Sequence, residues 1–348
     1  MNIIRKQNKK YLGSLLFSVL LILVTFYFVL RESQINELLL TIKNADPFYL
    51  GIGLLAMLLF VASEAFGIRV LLKSFAYRLS LWKCLKYSFI GFYFSSITPG
   101  ASGGQPAQVY YMKRDGVEIG SSSLAILVIT VSYQVGILLI GLTMFSVRPA
   151  LILQNLGFTK YLVAYGVLVN LCLVVTFVCV ALNRDLLRRI LSGFLRLLKL
   201  LKIMKNTDPV MHKAEIQLEN YQKGIAYIKE NPRALLRAFC AILAQILSRL
   251  SVAYVIYKAF GLGGYSYLDI VALQAVLALA VESLPLPGAV GATEAGFLAV
   301  NRLLFGADKL LPAMLLSRGI SYYAFLLLSG GVTLGAQLAA GKRGEPDL

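Results

Sequence analysis

The chain has 348 residues, of which 58% are hydrophobic and 15% charged, with a mean hydropathy of +0.74. That balance excludes an ordinary soluble domain and indicates an integral helical membrane protein. Thirty-four Lys and Arg against 17 Asp and Glu leave a net charge of +17, but the basic residues sit between apolar runs, as membrane orientation and anionic lipid surfaces require, and not in a nucleic-acid patch. The four cysteines, at 84, 172, 179 and 240, fall in or beside apolar runs without metal-ligand spacing, and the single His212 lies in a polar segment.

In chain order, Arg5, Lys6, Lys9 and Lys10 precede an apolar run from Tyr11 to Leu30, too long for a signal peptide and lacking a small-residue cleavage site. It reads as a first span with a cytoplasmic N-terminus. A second span opens at Pro47, runs to about Lys73 and carries Glu64 near its middle. The basic stretch Lys73, Arg78, Lys83 and Lys86 leads into an apolar arm ending near Ile97, then a turn, then a return arm from Pro106 to Met112. At about 1.5 Å per residue that return arm cannot cross a hydrocarbon core of about 30 Å. Lys113, Arg114 and the basic residues further on all become cytoplasmic if the two arms form a re-entrant hairpin, so the positive-inside rule selects that reading.

A third span covers Ser121 to Val147, Arg148-Pro149 opens a short outer connection, and a fourth span runs from Thr159 to Leu182. The segment from Arg184 to Arg233 carries a net charge of +6. Its first part alternates apolar and basic faces at helical spacing, as a helix lying on the cytoplasmic leaflet does, either as plain scaffold or as a patch that recruits headgroups. A fifth span, Arg233 to Lys258, contains Arg249. A second hairpin follows, with an arm from Leu268 to Leu284, a turn, and a return arm from Ala292 to about Phe305; a last span, Leu311 to Ala340, contains Arg318 and ends at Lys342-Arg343.

The two turns share one pattern. Pro99-Gly100-Ala101-Ser102-Gly103-Gly104-Gln105 reappears, 188 residues on, as Pro287-Gly288-Ala289-Val290-Gly291-Ala292-Thr293. Proline removes a donor and glycine admits φ > 0, so both stretches break helix. They are either loops at the membrane surface or broken helices at membrane depth, and paired breaks in corresponding halves of a membrane chain point to a transport site. An odd number of spans separates the hairpins, so they enter from opposite sides. The expected fold is therefore all-α, with about six spanning helices plus two re-entrant hairpins in an inverted-topology repeat. It forms a single membrane domain over residues 1–348: first repeat 47–147, connector 148–232, inverted second repeat 233–340.

The runs Ser96-Ile97-Thr98-Pro99 with Gly103-Gly104-Gln105-Pro106-Ala107-Gln108-Val109, and Leu284-Pro285-Leu286-Pro287-Gly288-Ala289-Val290-Gly291-Ala292-Thr293-Glu294, resemble the two signatures of the flippase-like transmembrane domain of lysylphosphatidylglycerol synthases, the bacterial multiple-peptide-resistance factors. The resemblance covers about Tyr11 to Ala340. It implies a lipid-translocating domain of the bacterial cytoplasmic membrane with two re-entrant hairpins, dimeric; the basic residues between the spans put both termini in the cytoplasm. Only Gly341 to Leu348 follows the last span, so a stand-alone form without the synthase domain is expected.

Charges at membrane depth are the remaining chemistry. Glu64, Arg249, Glu282, Glu294 and Arg318 are each costly there unless paired or facing a cavity. Glu294 stands at the start of a return helix, where it either satisfies backbone N–H groups or serves substrate. Arg249 and Arg318 would hold a lipid phosphate or neutralise the three glutamates. Backbone N–H groups of Gly103, Gly104, Gly291 and Ala292 at the return-helix starts are the preferred phosphate donors. The candidate substrate site is thus Pro99, Gly100, Gly103, Gly104, Gln105, Pro287, Gly288, Gly291, Thr293 and Glu294, with Arg249, Arg318, Glu64 and Glu282. No nucleophile–base pair, metal cluster or nucleotide loop is apparent, so neither catalysis nor a cofactor is expected. The expected function is flipping of a phospholipid or glycolipid, anionic or zwitterionic. A secondary transporter of a small polar solute, a membrane-embedded lipid-modifying transferase and an accessory membrane scaffold are the alternatives.

Overall fold

The computed structural model describes residues 40–157, 159–183 and 224–341, with isolated positions 189, 193 and 221. The expected span from Tyr11 to Leu30, most of the basic stretch from Arg184 to Arg233, and Lys342-Arg343 lie outside them. The described residues form helices joined by short turns, with no strand among them. They form α1 (Pro47–Ser74), α2 (Leu81–Ile97), α3 (Gly104–Arg114), α4 (Ile119–Val147), α5 (Pro149–Leu156), α6 (Thr159–Leu182), α7 (Pro232–Ala259), α8 (Tyr267–Val281), α9 (Ala292–Val300), α10 (Arg302–Arg318) and α11 (Phe325–Gly341). Single 3₁₀ turns, Pro99–Ala101 and Pro287–Ala289, separate α2 from α3 and α8 from α9.

Local chemistry sets the helix ends. Asp46 caps α1 by accepting the Phe48 N–H at 2.9 Å, with Pro47 in the first turn where no amide hydrogen is needed. Ser266 and Asp269 form a reciprocal capping box at the start of α8, and Asp269 also pairs with Arg148 at 2.7 Å, fastening α8 to the start of α5. Among the described residues, five stretches are long and apolar enough to cross a membrane: Pro47–Ser74, Ile119–Val147, Thr159–Cys179, Pro232–Ala259 and Arg302–Ala339. The 28 residues of α1 would extend about 42 Å, more than the hydrocarbon thickness, whereas the 11 of α3 reach only about 16 Å. This is an all-α integral membrane protein.

α1 and α7 form the most extensive helix pair. They run antiparallel: Gly53 faces Val255 while Gly67 faces Ala238 and Ile242. The remaining helices interlock across this pair. α2 packs on α11, with Tyr93 against Gly330, and α8 packs on α4, with Leu279 against Gly141. Two apolar clusters result, one around Met57, Ile256, Phe297 and Phe325, the other around Ile68, Tyr87, Met112 and Ile242. α6 lies outermost, with only 11% of its apolar stretch buried, and meets α8 through Gly166, where an added Cβ would sit 1.8 Å from the Leu279 carbonyl oxygen. Leu168, Leu171 and Val175 on its other face stay exposed, as a lipid-facing helix permits.

α2 and α3 fold back on one another. At their base Asp115 accepts hydrogen bonds from Lys86 Nζ, at 2.7 Å, and from Tyr87 Oη. From this lock to the turn each arm spans 11 residues. The second hairpin carries a lock at the corresponding place, where Gln274 Nε2 donates to Asn301 Oδ1 at 2.8 Å.

Three details depart from the sequence reading. The connection at Arg148-Pro149 is an eight-residue helix, α5, that buries Ile152 and Leu156. The second return arm ends at Val300, five residues before Phe305, because Asn301 turns its side chain back onto the Phe297 carbonyl and holds Gln274 with its other end. The last span begins at Arg302, kinks at Gly306 (φ 67°), and widens into a π-helical turn over Gly319–Ala324 before α11.

Two measurements test this packing. Gly166→Ala should destabilise the purified protein by about 1–3 kcal/mol in thermal unfolding, through overpacking against the α8 backbone, while Gly51→Ala, with open space around it, should be neutral or gain up to about 1 kcal/mol. Equal effects at the two positions would refute the close α6–α8 contact. At the hairpin base, burial alone would raise the Asp115 carboxyl, but the hydrogen bonds from Lys86 and Tyr87 outweigh it and hold the group below its ordinary 3.8. The depressed carboxyl contributes stability that is complete above the ordinary value and disappears as pH falls through the folded-state value. Asp115→Asn should therefore be less stable at neutral pH and lose less on acidification than the parent chain.

Candidate functional site

The two turns share a left-handed pair at their centre and part after it, where Ser102 is helical (φ −66°, ψ −18°) and Val290 extended (φ −63°, ψ 141°). Gly100 (φ 59°, ψ 28°) and Gly288 (φ 57°, ψ 16°) are left-handed, and so are the alanines that follow, Ala101 (φ 55°) and Ala289 (φ 49°). The same hydrogen bonds close both: Ala101 and Ser102 N–H to the carbonyls of Thr98 and Pro99, and Ala289 and Val290 N–H to those of Leu286 and Pro287. A left-handed alanine costs about 1–2 kcal/mol, so two at matched positions mean the surroundings impose the conformation.

What surrounds the turns is each other. The Gly100 Cβ position is 4.0 Å from Pro285 Cα. Tyr322, in the π turn, serves both at once: its hydroxyl donates to the Ser96 carbonyl at 3.0 Å, and its ring lies so close to Gly288 that a Cβ there would come within 2.2 Å of the hydroxyl oxygen. Arg318 lies over that ring, 4.3 Å from its centroid, donates through Nε to Glu294 Oε1 at 2.7 Å, and reaches the Gly288 carbonyl at 3.3 Å. Glu294 Oε2 accepts the Gly291 N–H at 2.7 Å. Glu294 (3% exposed) and Arg318 (8%) therefore form one buried clamp on the second turn.

This geometry corrects the expected phosphate donors. The Gly103 N–H is taken by Thr98 Oγ1 at 2.9 Å and the Gly291 N–H by Glu294, so two of the four proposed amides are occupied within the protein. The glycines at 103 and 104 answer a packing need. A Cβ at Gly104 would stand 2.0 Å from Ser95 Oγ and 2.8 Å from the Gly91 carbonyl, and one at Gly103 would strike Thr98. Arg318, committed to the clamp, is likewise not a free phosphate ligand.

Against the turns lies a partly open cavity of about 520 Å³. Gly100, Gln105, Gly288, Thr293, Glu64, Arg249, Glu282 and Arg318 all line it, whereas Pro99, Gly103, Gly104, Pro287, Gly291 and Glu294 stand behind its wall. Arg249 pairs with Glu282, which also accepts from Tyr133 Oη at 3.2 Å, and the Arg249 Nε is buried without a hydrogen-bond partner among the described residues. Gln105 Nε2 reaches Thr130 Oγ1 at 3.3 Å. Glu64 is held by two amides, Gln108 Nε2 at 2.6 Å and Gln245 Nε2 at 3.0 Å, and by neither arginine. Sequence reasoning passed over Gln108, Gln245, Tyr133 and Tyr322. The two glutamines carried a legible signal, amides inside apolar stretches, whereas a tyrosine in such a run looks like any interfacial or core aromatic.

Loss of one partner leaves the other as an unpaired buried charge. Glu294→Gln and Arg318→Gln should each destabilise the protein by about 3–5 kcal/mol, and the double variant by less than their sum. Strict additivity in thermal unfolding would show that the two side chains do not form the clamp.

The sequence profile of the family described as "Lysylphosphatidylglycerol synthase TM region" matches residues 13–329. A curated relative, a UPF0104 membrane protein of Archaeoglobus fulgidus, is 30% identical over 86 residues, covering 25% of this chain and 26% of that protein. The aligned part thus spans about a quarter of that relative's length. The profile match takes in both hairpins, both turns and the α1–α7 pair that carries them, and on that extent the chain belongs to the lysylphosphatidylglycerol synthase transmembrane-region family.

Proposed function

We propose that the protein moves a phospholipid or glycolipid with an anionic or zwitterionic headgroup between the leaflets of a bacterial cytoplasmic membrane, without catalysing a chemical change. The observation that carries this reading is the cavity against two meeting turns, with charged and amide side chains set into an apolar lining. A headgroup crossing hydrocarbon loses its water hydrogen bonds and needs replacements there. Arg249, Tyr133, Gln105 and Thr293 offer replacements around a space within the usual range for bound ligands, about 300–1,000 Å³, while the acyl chains stay in the surrounding lipid.

The helix order supports a membrane-inverted repeat. α1, α2, turn, α3 and α4 correspond to α7, α8, turn, α9 and α10–α11, and the first helices of the two sets lie antiparallel. Such repeats place a site at their interface and alternate its access by exchanging conformations. Re-entry of the hairpins is supported by arms that extend about 16 Å from lock to turn, roughly half of a ~30 Å core. At the base of the first, exposed Trp82 beside Lys83 and Lys86 matches the composition of a membrane–water interface. Cytoplasmic N- and C-termini follow from the basic residues between the spans.

In vesicles carrying a headgroup-labelled lipid on one leaflet, the protein should accelerate exchange between leaflets. Arg249→Gln, which removes a cavity-facing cation whose Nε is unbonded among the described residues, should slow that exchange by about 10–100-fold, the loss expected for a charge-assisted hydrogen bond worth about 1.5–3 kcal/mol. Accumulation of a soluble solute, with no lipid of a broad panel exchanged, would replace lipid movement by solute transport.

A further inference from the structure

Glu64 takes no part in the headgroup contacts above, yet its environment is the most specific in the cavity. It sits on the central α1–α7 pair, and its two oxygens accept one N–H each from Gln108 on α3 and Gln245 on α7. Both glutamines are 4% exposed. Gln108 is fitted under α2, where Gly91 makes room for it: a Cβ there would lie 2.3 Å from Gln108 Nε2. Among the described residues no ion pair reaches Glu64. Arg249, one turn beyond Gln245 on α7, is held by Glu282 of α8, and Arg318 of α10 is held by Glu294 of α9. The cavity-facing groups of α2, Gly91 and Ser95, are neutral; α4 contributes Tyr133, bonded to Glu282, and the π turn Tyr322, bonded to Ser96; Arg69 on α1 itself is exposed.

A second observation sits beside the carboxylate. Gln245 Oε1 is buried and has no hydrogen-bond partner among the described residues. An idle buried acceptor is unfavourable by about 1–3 kcal/mol, and a carboxylate cannot satisfy it. A carboxylic acid can, because its O–H donates.

We propose that Glu64 is a proton-binding site. A hydronium proton arriving through the cavity adds to a carboxylate oxygen and leaves water behind, giving a neutral acid whose O–H donates to Gln245 Oε1. The ionised form holds both amide N–H groups by charge-assisted bonds. The neutral form accepts more weakly and loosens Gln108, hence the hold of α1 on the return arm α3. Proton binding is thereby linked to the position of the first hairpin. Only the further step, that this linkage lets a proton gradient drive lipid movement, rests on the proposed function.

Infrared difference spectroscopy of the full chain in lipid bilayers, between mildly alkaline and mildly acidic buffer, reads the proton directly. A carboxyl C=O band should appear on acidification, vanish in Glu64→Gln, persist in Glu282→Gln and shift in Gln245→Leu, which removes the acceptor. Should Glu64→Gln fail to fold, Glu64→Asp must shift the band in its place. A band indifferent to every change at position 64 overturns the proposal. So does Glu64-dependent thermal stabilisation by sodium ions without the band, which would make the site a metal-cation site. Lipid exchange in the same vesicles is scored separately: its absence with the band intact counts against the lipid reading alone.

Discussion

Backbone polar groups inside a membrane protein must find partners within the protein, and the two P-G-A turns are where that requirement is hardest to meet. Each turn breaks a helix, and each holds two consecutive left-handed residues, one of them an alanine. Neither is self-sufficient. Their partners are the opposite turn, Tyr322 and the Glu294–Arg318 clamp, drawn from helices far apart in sequence. Every other feature of the architecture follows from bringing these pieces to one place. The antiparallel α1–α7 pair supplies the axis, and the exchange of α2 onto α11 and α8 onto α4 carries each hairpin into the opposite half.

The same arrangement divides the buried charges into two kinds of work. Glu294 and Arg318 are buried against each other and hold shape, although Arg318 also borders the cavity. Arg249, Glu282 and Glu64 face the cavity and are free to respond to what enters it. Removing a member of the first group should appear as lost stability. Removing a member of the second should appear as altered binding or exchange. A variant at position 318 that fails in transport is therefore weak evidence for substrate contact.

The π-helical turn at Gly319–Ala324 shows how one local irregularity serves both halves. Widening the helix there presents Tyr322 to the first turn through its hydroxyl and to the second through its ring. The hairpin bases show the opposite economy, with one geometric solution made by different chemistry. The lock is Lys86 and Tyr87 on Asp115 in the first hairpin, and Gln274 on Asn301 in the second, so the charged lock alone is sensitive to acid.

The class, the helical spans from Pro47 onward and the places where helix must break were legible in the linear sequence, because apolar run length, Pro-Gly punctuation and flanking charge are local properties. The repeat was legible for the same reason: identical residues at a fixed offset require nothing beyond the chain itself. Even the grouping of five intramembrane charges into one problem could be read, since unpaired charge at that depth is unfavourable wherever it lies. Which charge meets which could not be. Glu64 and Gln245 are 181 residues apart, Ser96 and Tyr322 are 226, and nothing local distinguishes a glutamate held by amides from one held by arginine. The roles of Gly103 and Gly104 were hidden likewise. Glycine beside a turn signals both close substrate approach and close helix packing, and only the positions of Ser95, Thr98 and Gly91 decided for packing. Pairing and close approach are properties of distance in space, which the tertiary structure alone determines.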